Sequence, residues 1–134
     1  MKNIRVLILE DDLQTVIQIL KVLKKIEDEK SVYFGFTILS TYREVENYIN
    51  KNKAEDYDIL LLDRDDYAGG SYHSIDLSLF NLNNTISISS VPDYNTQATE
   101  KGVKRVVFKQ YHELEDFSAK LKGEIIKIIE LLKL

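Results

Sequence analysis

Cysteine is absent from the 134 residues, which excludes disulfides, thiolate catalysis and cysteine-ligated zinc together. Histidine is scarce: only His73 and His112 could supply imidazole, so a multi-histidine metal centre has too few ligands. Basic excess is missing as well. Lys plus Arg number 18 against 22 Asp plus Glu, a formal charge of −4, which argues against a dedicated DNA or RNA surface. No apolar stretch is long enough to span a bilayer, and the opening MKNIRVLILEDD runs straight into charge without a signal-peptide pattern. What remains is 44% hydrophobic and 30% charged, enough to build one core. The expectation is a cytoplasmic chain with one domain over 1–134, without internal repeats, low-complexity tracts or interdomain linkers.

Short β-like runs alternate with helix-like segments throughout. Ile4 to Leu9 reads as a first strand, apolar on both faces in its second half, and stops at Glu10-Asp11-Asp12. Val16, Leu20 and Leu23, widened by Ile19 and Ile26, predict a helix from Leu13 to about Lys25, with Asp12 as its N-cap. Val32 to Leu39 is a second strand, after which Thr41 caps a short helix carrying Val45, Tyr48 and Ile49. Ile59-Leu60-Leu61-Leu62, the most apolar run, ends abruptly at Asp63. A polar loop from Arg64 to about Ser74 contains Gly69-Gly70, and a short helix is expected over Ile75 to Phe80. Thr85 to Ile88 is the fourth strand, ending at Ser89-Ser90. Past Pro92, the only proline, a helix from about Tyr94 to Lys101 closes at Gly102, a natural C′ residue. Val103 to Phe108 is the fifth strand, ending at Lys109, and a last helix from about Glu113 carries Leu114, Phe117, Leu121, Ile125, Ile128 and Leu132. Five βα units predict an α/β fold, a doubly wound five-stranded parallel sheet with helices on both faces.

In open parallel sheets, sites form at the carboxyl ends of the strands. Those ends carry Glu10 and Asp11, then Ser40, Asp63, Ser89 with Ser90, and Lys109. Carboxylates brought onto one rim repel unless a cation or raised pKa values relieve them, and Mg2+ is the hard, oxygen-seeking cation that suits such a set. Lysine offers positive charge to an anionic oxygen and serine offers a hydroxyl. The set suits a phosphoryl group with its Mg2+, with Asp63 as the nucleophile that forms an aspartyl phosphate.

These residues resemble a response-regulator receiver domain, the phosphorylatable module of two-component signalling. The likeness runs through VLILEDD (6–12), DILLLDRDD (58–66), ISISS (86–90) and GVKRVVFK (102–109), essentially the whole chain. The separations are 52 residues from Asp11 to Asp63, then 26 to Ser89 and 20 to Lys109. The resemblance implies a (βα)5 flavodoxin-like fold. It implies that Glu10 and Asp11 help hold Mg2+, that Asp63 is both ligand and phosphoacceptor, and that Asp65 gives its main-chain carbonyl to the metal. Ser89 would turn its hydroxyl toward the phosphoryl group and Lys109 would pair with its oxygen. The partners implied are a histidine kinase or phosphotransfer protein and a downstream protein target, in a stand-alone receiver or phosphorelay intermediate whose own chemistry is self-phosphorylation and autodephosphorylation. The chain departs from the family at Gln110, where proline usually follows the lysine, at Tyr67, another usual proline, and at Val106, where many receivers have an aromatic switch residue. The YAGGSYHS segment does not match the common pattern either.

Blander readings compete residue by residue. Glu10, Asp11 and Asp12 could be a solvated helix start favoured by the dipole. Asp63 could merely stop a strand, Ser89 and Ser90 could form the turn before Pro92, and Lys109 could be a surface lysine. His73 with the paired glycines reads as a polar loop before a ligand loop, and His112 as exposed. The last helix has extra apolar residues, Ile126, Ile129, Leu131 and Leu134, which make either a broad buried face or a partner or homodimer surface. Among functions, Asp63-Arg64-Asp65 also resembles the nucleophile motif of haloacid-dehalogenase-type phosphatases, although these need an acidic pair after the lysine, where Glu113, Glu115 and Asp116 instead begin a helix. A looser likeness links Glu10 and Asp63-x-Asp65 to the Mg2+ acids of topoisomerase–primase domains. The last alternative is a degenerate receiver-like binding module that is never phosphorylated.

Overall fold

Apolar runs with hydrophobic residues on both faces need cover on both sides, and the chain provides it. The structure is a computed structural model that describes residues 2–41, 56–63 and 76–132. Strands β1 (Lys2–Leu9), β2 (Val32–Leu39), β3 (Ile59–Asp63), β4 (Thr85–Ser89) and β5 (Arg105–Phe108) pair in parallel in the order β2-β1-β3-β4-β5. Helices α1 (Leu13–Glu29), α2 (Pro92–Glu100) and α3 (Leu114–Leu132) complete the described helical layers.

Alternate strand residues divide the core in two. Ile4, Val6, Ile8, Ile59, Leu61, Ile86, Ile88 and Val107 pack under α1 and α3, against Ile19, Leu23, Phe117, Leu121 and Ile125. On the other face Leu7, Leu9, Leu60 and Leu62 meet Leu77, Ala98 and Val103. Here β4 presents Thr85 and Ser87 instead of large apolar side chains, and α2 docks through Asn95. Ser87 Oγ donates to Asn95 Oδ1 at 2.9 Å, and Asn95 Nδ2 donates to the Val107 carbonyl at 3.4 Å. This buried polar pair ties α2 to both β4 and β5, because a buried amide must be hydrogen-bonded to be tolerated.

Several expected boundaries shift for local reasons. α1 is capped by Asp12, whose Oδ2 accepts from the Thr15 amide at 3.0 Å, and it continues past Lys25 because Ile26 is buried. α2 starts at Pro92, two residues early, since proline needs no amide partner at a helix start. It ends at Glu100, with Lys101 as C-cap and Gly102 at φ 101° as the C′ glycine. β5 begins at Arg105, after Val103 has been used for the α2-side core. The expected helix over 75–80 is a 3-10 turn, Leu77–Leu79, followed by a second at Leu82–Asn84. Asp76 and Asn81 accept from the amides two residues on, at 3.0 Å each, and so turn the chain before an α-helix can propagate. The helix expected after Thr41, the loop from Arg64 with Asp65, Tyr67, Gly69-Gly70 and His73, Ile75 and Leu134 lie outside the described residues.

Candidate functional site

The strand order creates the site before any side chain is considered. β1 leads outward to β2, whereas β3 leads the other way to β4 and β5. The connections leaving β1 and β3 therefore diverge and open a crevice at the carboxyl ends of those two strands. Register sets the depth. Leu9 pairs with Leu62, so Glu10 and Asp63 follow at the same level, and Ser89 pairs with Phe108, the residue before Lys109. The Lys109 amide donates to the Ser89 carbonyl at 2.8 Å, holding the last two strand ends together.

Glu10, Asp63, Ser89 and Lys109 are all buried, so the surface-lysine and solvated-loop readings do not describe them. Lys109 Nζ donates to Glu10 Oε1 at 3.0 Å and to Asp63 Oδ1 at 3.5 Å, with its side chain 0% exposed. The other Glu10 oxygen accepts from the backbone amides of Asp11 and Asp12, at 3.0 and 3.2 Å. Burial pushes the Glu10 carboxyl up, against the pull of the Lys109 ammonium. Asp11 is pushed up to about 6, by burial first and then by the Asp63 carboxylate beside it. Asp11 Oδ1 is buried and accepts no hydrogen bond from the described residues.

The three carboxylates each bring an oxygen within 4.8 Å of the others. Among the described residues they share one ammonium, that of Lys109, and three carboxylate oxygens this close suit a divalent cation. Three carboxylates converging on one point, with the buried Asp11 oxygen not hydrogen-bonded among the described residues, fit such an ion. Ser89 Oγ lies in the same rim and accepts from the Val91 amide at 3.0 Å, at the start of α2. The structure thus brings together Glu10, Asp11, Asp63, Ser89 and Lys109, while Asp65 lies outside the described residues. Sequence reasoning missed Tyr111, whose ring lies 4.8 Å from Lys109 Nζ. The signal for it was an aromatic two residues after the strand-end lysine.

Of the remaining expectations, His112 is exposed. In α3, Ile129 is buried, Ile126 packs partly against the core, and Leu131 is 49% exposed. Val106 and Phe108, on the β5 face toward α2, are both exposed.

No protein-family model matches the chain, and no curated protein matches it. Solved structures do resemble it. The Mn2+-bound form of response regulator Rcp1 matches with a TM-score of 0.64 and 14% identity, over 89% of each chain. Response regulator TrrA from Thermotoga maritima, in complex with Mg2+-BeF, matches with a TM-score of 0.56 and 18% identity, over 96% of this chain and 99% of that one. An atypical orphan response regulator, whose structure revealed a phosphorylation-independent regulatory mechanism, matches at 0.55 and 17% identity, over 91% and 95%. The chain has the flavodoxin-like receiver fold, and at these identities the likeness speaks for the fold alone.

Proposed function

We propose, with the receiver fold as premise, that this chain is a phosphorylatable signalling receiver in which Asp63 accepts a phosphoryl group from a partner histidine kinase or phosphotransfer protein. The observation that carries this reading is the cluster of Asp63, Glu10 and Asp11 carboxylates, their oxygens within 4.8 Å of one another, with Lys109 against two of them at the sheet's switch point. An Asp63 carboxylate oxygen attacks phosphorus as the bond to the donor, a histidine nitrogen or an acyl oxygen, breaks. The electron pair leaves with the donor. Lys109, already against Asp63, exchanges carboxylate contact for a phosphoryl oxygen. Ser89 offers its hydroxyl to another. Glu10, Asp11 and Asp63 would hold Mg2+, together with the Asp65 carbonyl, and the ion would supply neutralising charge to the phosphoryl oxygens.

Water attacking phosphorus breaks the bond to the Asp63 oxygen, releases orthophosphate and returns the carboxylate, so the chain's own chemistry is self-phosphorylation and autodephosphorylation that set and reset a switch. The output would be a changed protein-binding surface, read by a downstream protein in the cytoplasm. Self-association through α3 would use Leu131, the exposed one of its extra apolar residues among those described. A second reading, a binding module that is never phosphorylated, is favoured by both Glu10 oxygens being already engaged. Intact mass after incubation with Mg2+ and acetyl phosphate separates the readings. One hydroxylamine-labile phosphoryl group, lost in Asp63→Asn, is the expected result. No label at saturating donor would support the binding module, and steady phosphate release from a phosphomonoester would instead support a phosphatase.

A further inference from the structure

Lys109 poses a positioning problem that the carboxylates do not solve. Its ammonium sits on a flexible four-carbon stem, and of the two carboxylates it touches among the described residues, Glu10 is the nearer, 3.0 Å against 3.5 Å for Asp63. Of these two attractions, the shorter draws it toward Glu10 and away from Asp63, where a phosphoryl group would form. An uncharged contact also acts on the ammonium. The Tyr111 ring centroid lies 4.8 Å from Nζ, well inside the range at which a ring face attracts a cation. Backbone hydrogen bonds flank Tyr111 on both sides. The Lys109 amide is bonded to Ser89 across the strand ends, and the Glu113 amide donates to the Gln110 carbonyl at 3.1 Å, folding Tyr111 back before α3 begins. Tyr111 is half-buried, and Lys109 is fully buried, so the attraction acts with little water to weaken it.

We infer that Tyr111 is the positioning residue of Lys109, its ring face holding the ammonium within reach of Asp63 while carboxylate contacts are exchanged for a phosphoryl oxygen. This rests on the receiver reading proposed above. A ring face suits the task because it attracts the cation without competing as an anion, and so need not be displaced when the phosphoryl group arrives. Leucine at the same position would fill the space without a quadrupole, whereas phenylalanine would keep it.

The test compares the parent with Tyr111→Phe, Tyr111→Leu, Lys109→Met and the Lys109→Met/Tyr111→Leu double variant, each checked for native circular dichroism. The first readout is the rate of phosphoryl uptake from acetyl phosphate with Mg2+. Tyr111→Leu should be slower by about tenfold. Tyr111→Phe should match the parent, and Tyr111→Leu should cause no further loss once Lys109 is gone. The second readout, reductive methylation of Lys109 mapped by mass, needs no phosphorylation, and should be faster in Tyr111→Leu but unchanged in Tyr111→Phe. If the parent takes up no phosphoryl group, the receiver reading fails and the methylation result alone decides the role of Tyr111. Parent-like behaviour of Tyr111→Leu, or impairment of Tyr111→Phe equal to that of Tyr111→Leu, would overturn the inference.

Discussion

The bodies of β1 and β3 and the tips of the same strands are equally buried but opposite in chemistry. Val6 to Leu9 and Ile59 to Leu62 are at most 3% exposed, and one residue further on Glu10 and Asp63 are each 1% exposed. Burying the apolar bodies stabilises the fold in proportion to the area removed from water. Burying the charged tips costs free energy that Lys109 repays only in part, because ion pairs gain little net stability when both partners are desolvated. Two regions at one depth therefore answer to different demands. The bodies hold the sheet together, and the tips are held in place by it.

The contrast breaks most sharply with a cut into the body. Leu61→Ala should cost about 4 kcal/mol in urea unfolding, since it leaves a cavity under α1 and α3. The fraction that remains folded should still take up phosphoryl groups. At the tips, Lys109→Met should cost about 3 kcal/mol at pH 8, because it strands the buried Glu10 carboxylate. That loss should shrink at pH 5. With the ammonium gone, the folded pKa of Glu10 lies still further above its unfolded value, so the group stabilises at low pH and loses this as pH rises. Equal losses at both pH values would show that Lys109 does not compensate Glu10.

The strand ends were legible in the sequence because an apolar run that stops at a charge marks where a buried strand ends, at Asp63 as at Lys109, whereas the burial of the charges themselves was not. The Asp12 cap was legible for a similarly local reason. What was not legible depended on distance or on competition. Lys109 and Glu10 are 99 residues apart, and nothing local announces their hydrogen bond. Tyr111 meets Lys109 across the β5–α3 turn, closed by the Glu113 amide on the Gln110 carbonyl, which the sequence pattern does not mark. The helix expected over 75–80 failed because Asp76 and Asn81 offer the backbone a nearer partner than the next helical turn does. The polar docking of α2 through Asn95 was equally hidden, since its amphipathic pattern is weak and its partners lie on two other strands.

Smaller effects sharpen the comparison. In metal-free protein at pH 8, Asp11→Asn should raise stability, by less than about 1 kcal/mol after solvent screening. The sign follows from the Asp11 pKa, which lies at about 6 when folded against an ordinary 3.8, so its ionised form disfavours the fold above pH 6. Adding Mg2+ should raise the melting temperature of the parent, and Asp11→Asn should lose that increment. An undiminished increment would remove Asp11 from the metal site. The smallest effect is in pH. Mg2+ affinity should weaken below about pH 6, where Asp11 holds its proton, by at most about tenfold per unit. A titration at pH 5 and pH 7.5 checks it.

The central claim is that the charged tips exist to let Asp63 accept a phosphoryl group. Borohydride trapping tests it most directly: the protein is incubated with acetyl phosphate, with and without Mg2+, reduced, digested and mapped by mass. The account predicts conversion to homoserine at position 63 alone, dependent on Mg2+ and absent from Asp63→Asn. Conversion at another carboxylate, or none in the folded parent at saturating donor, would contradict it.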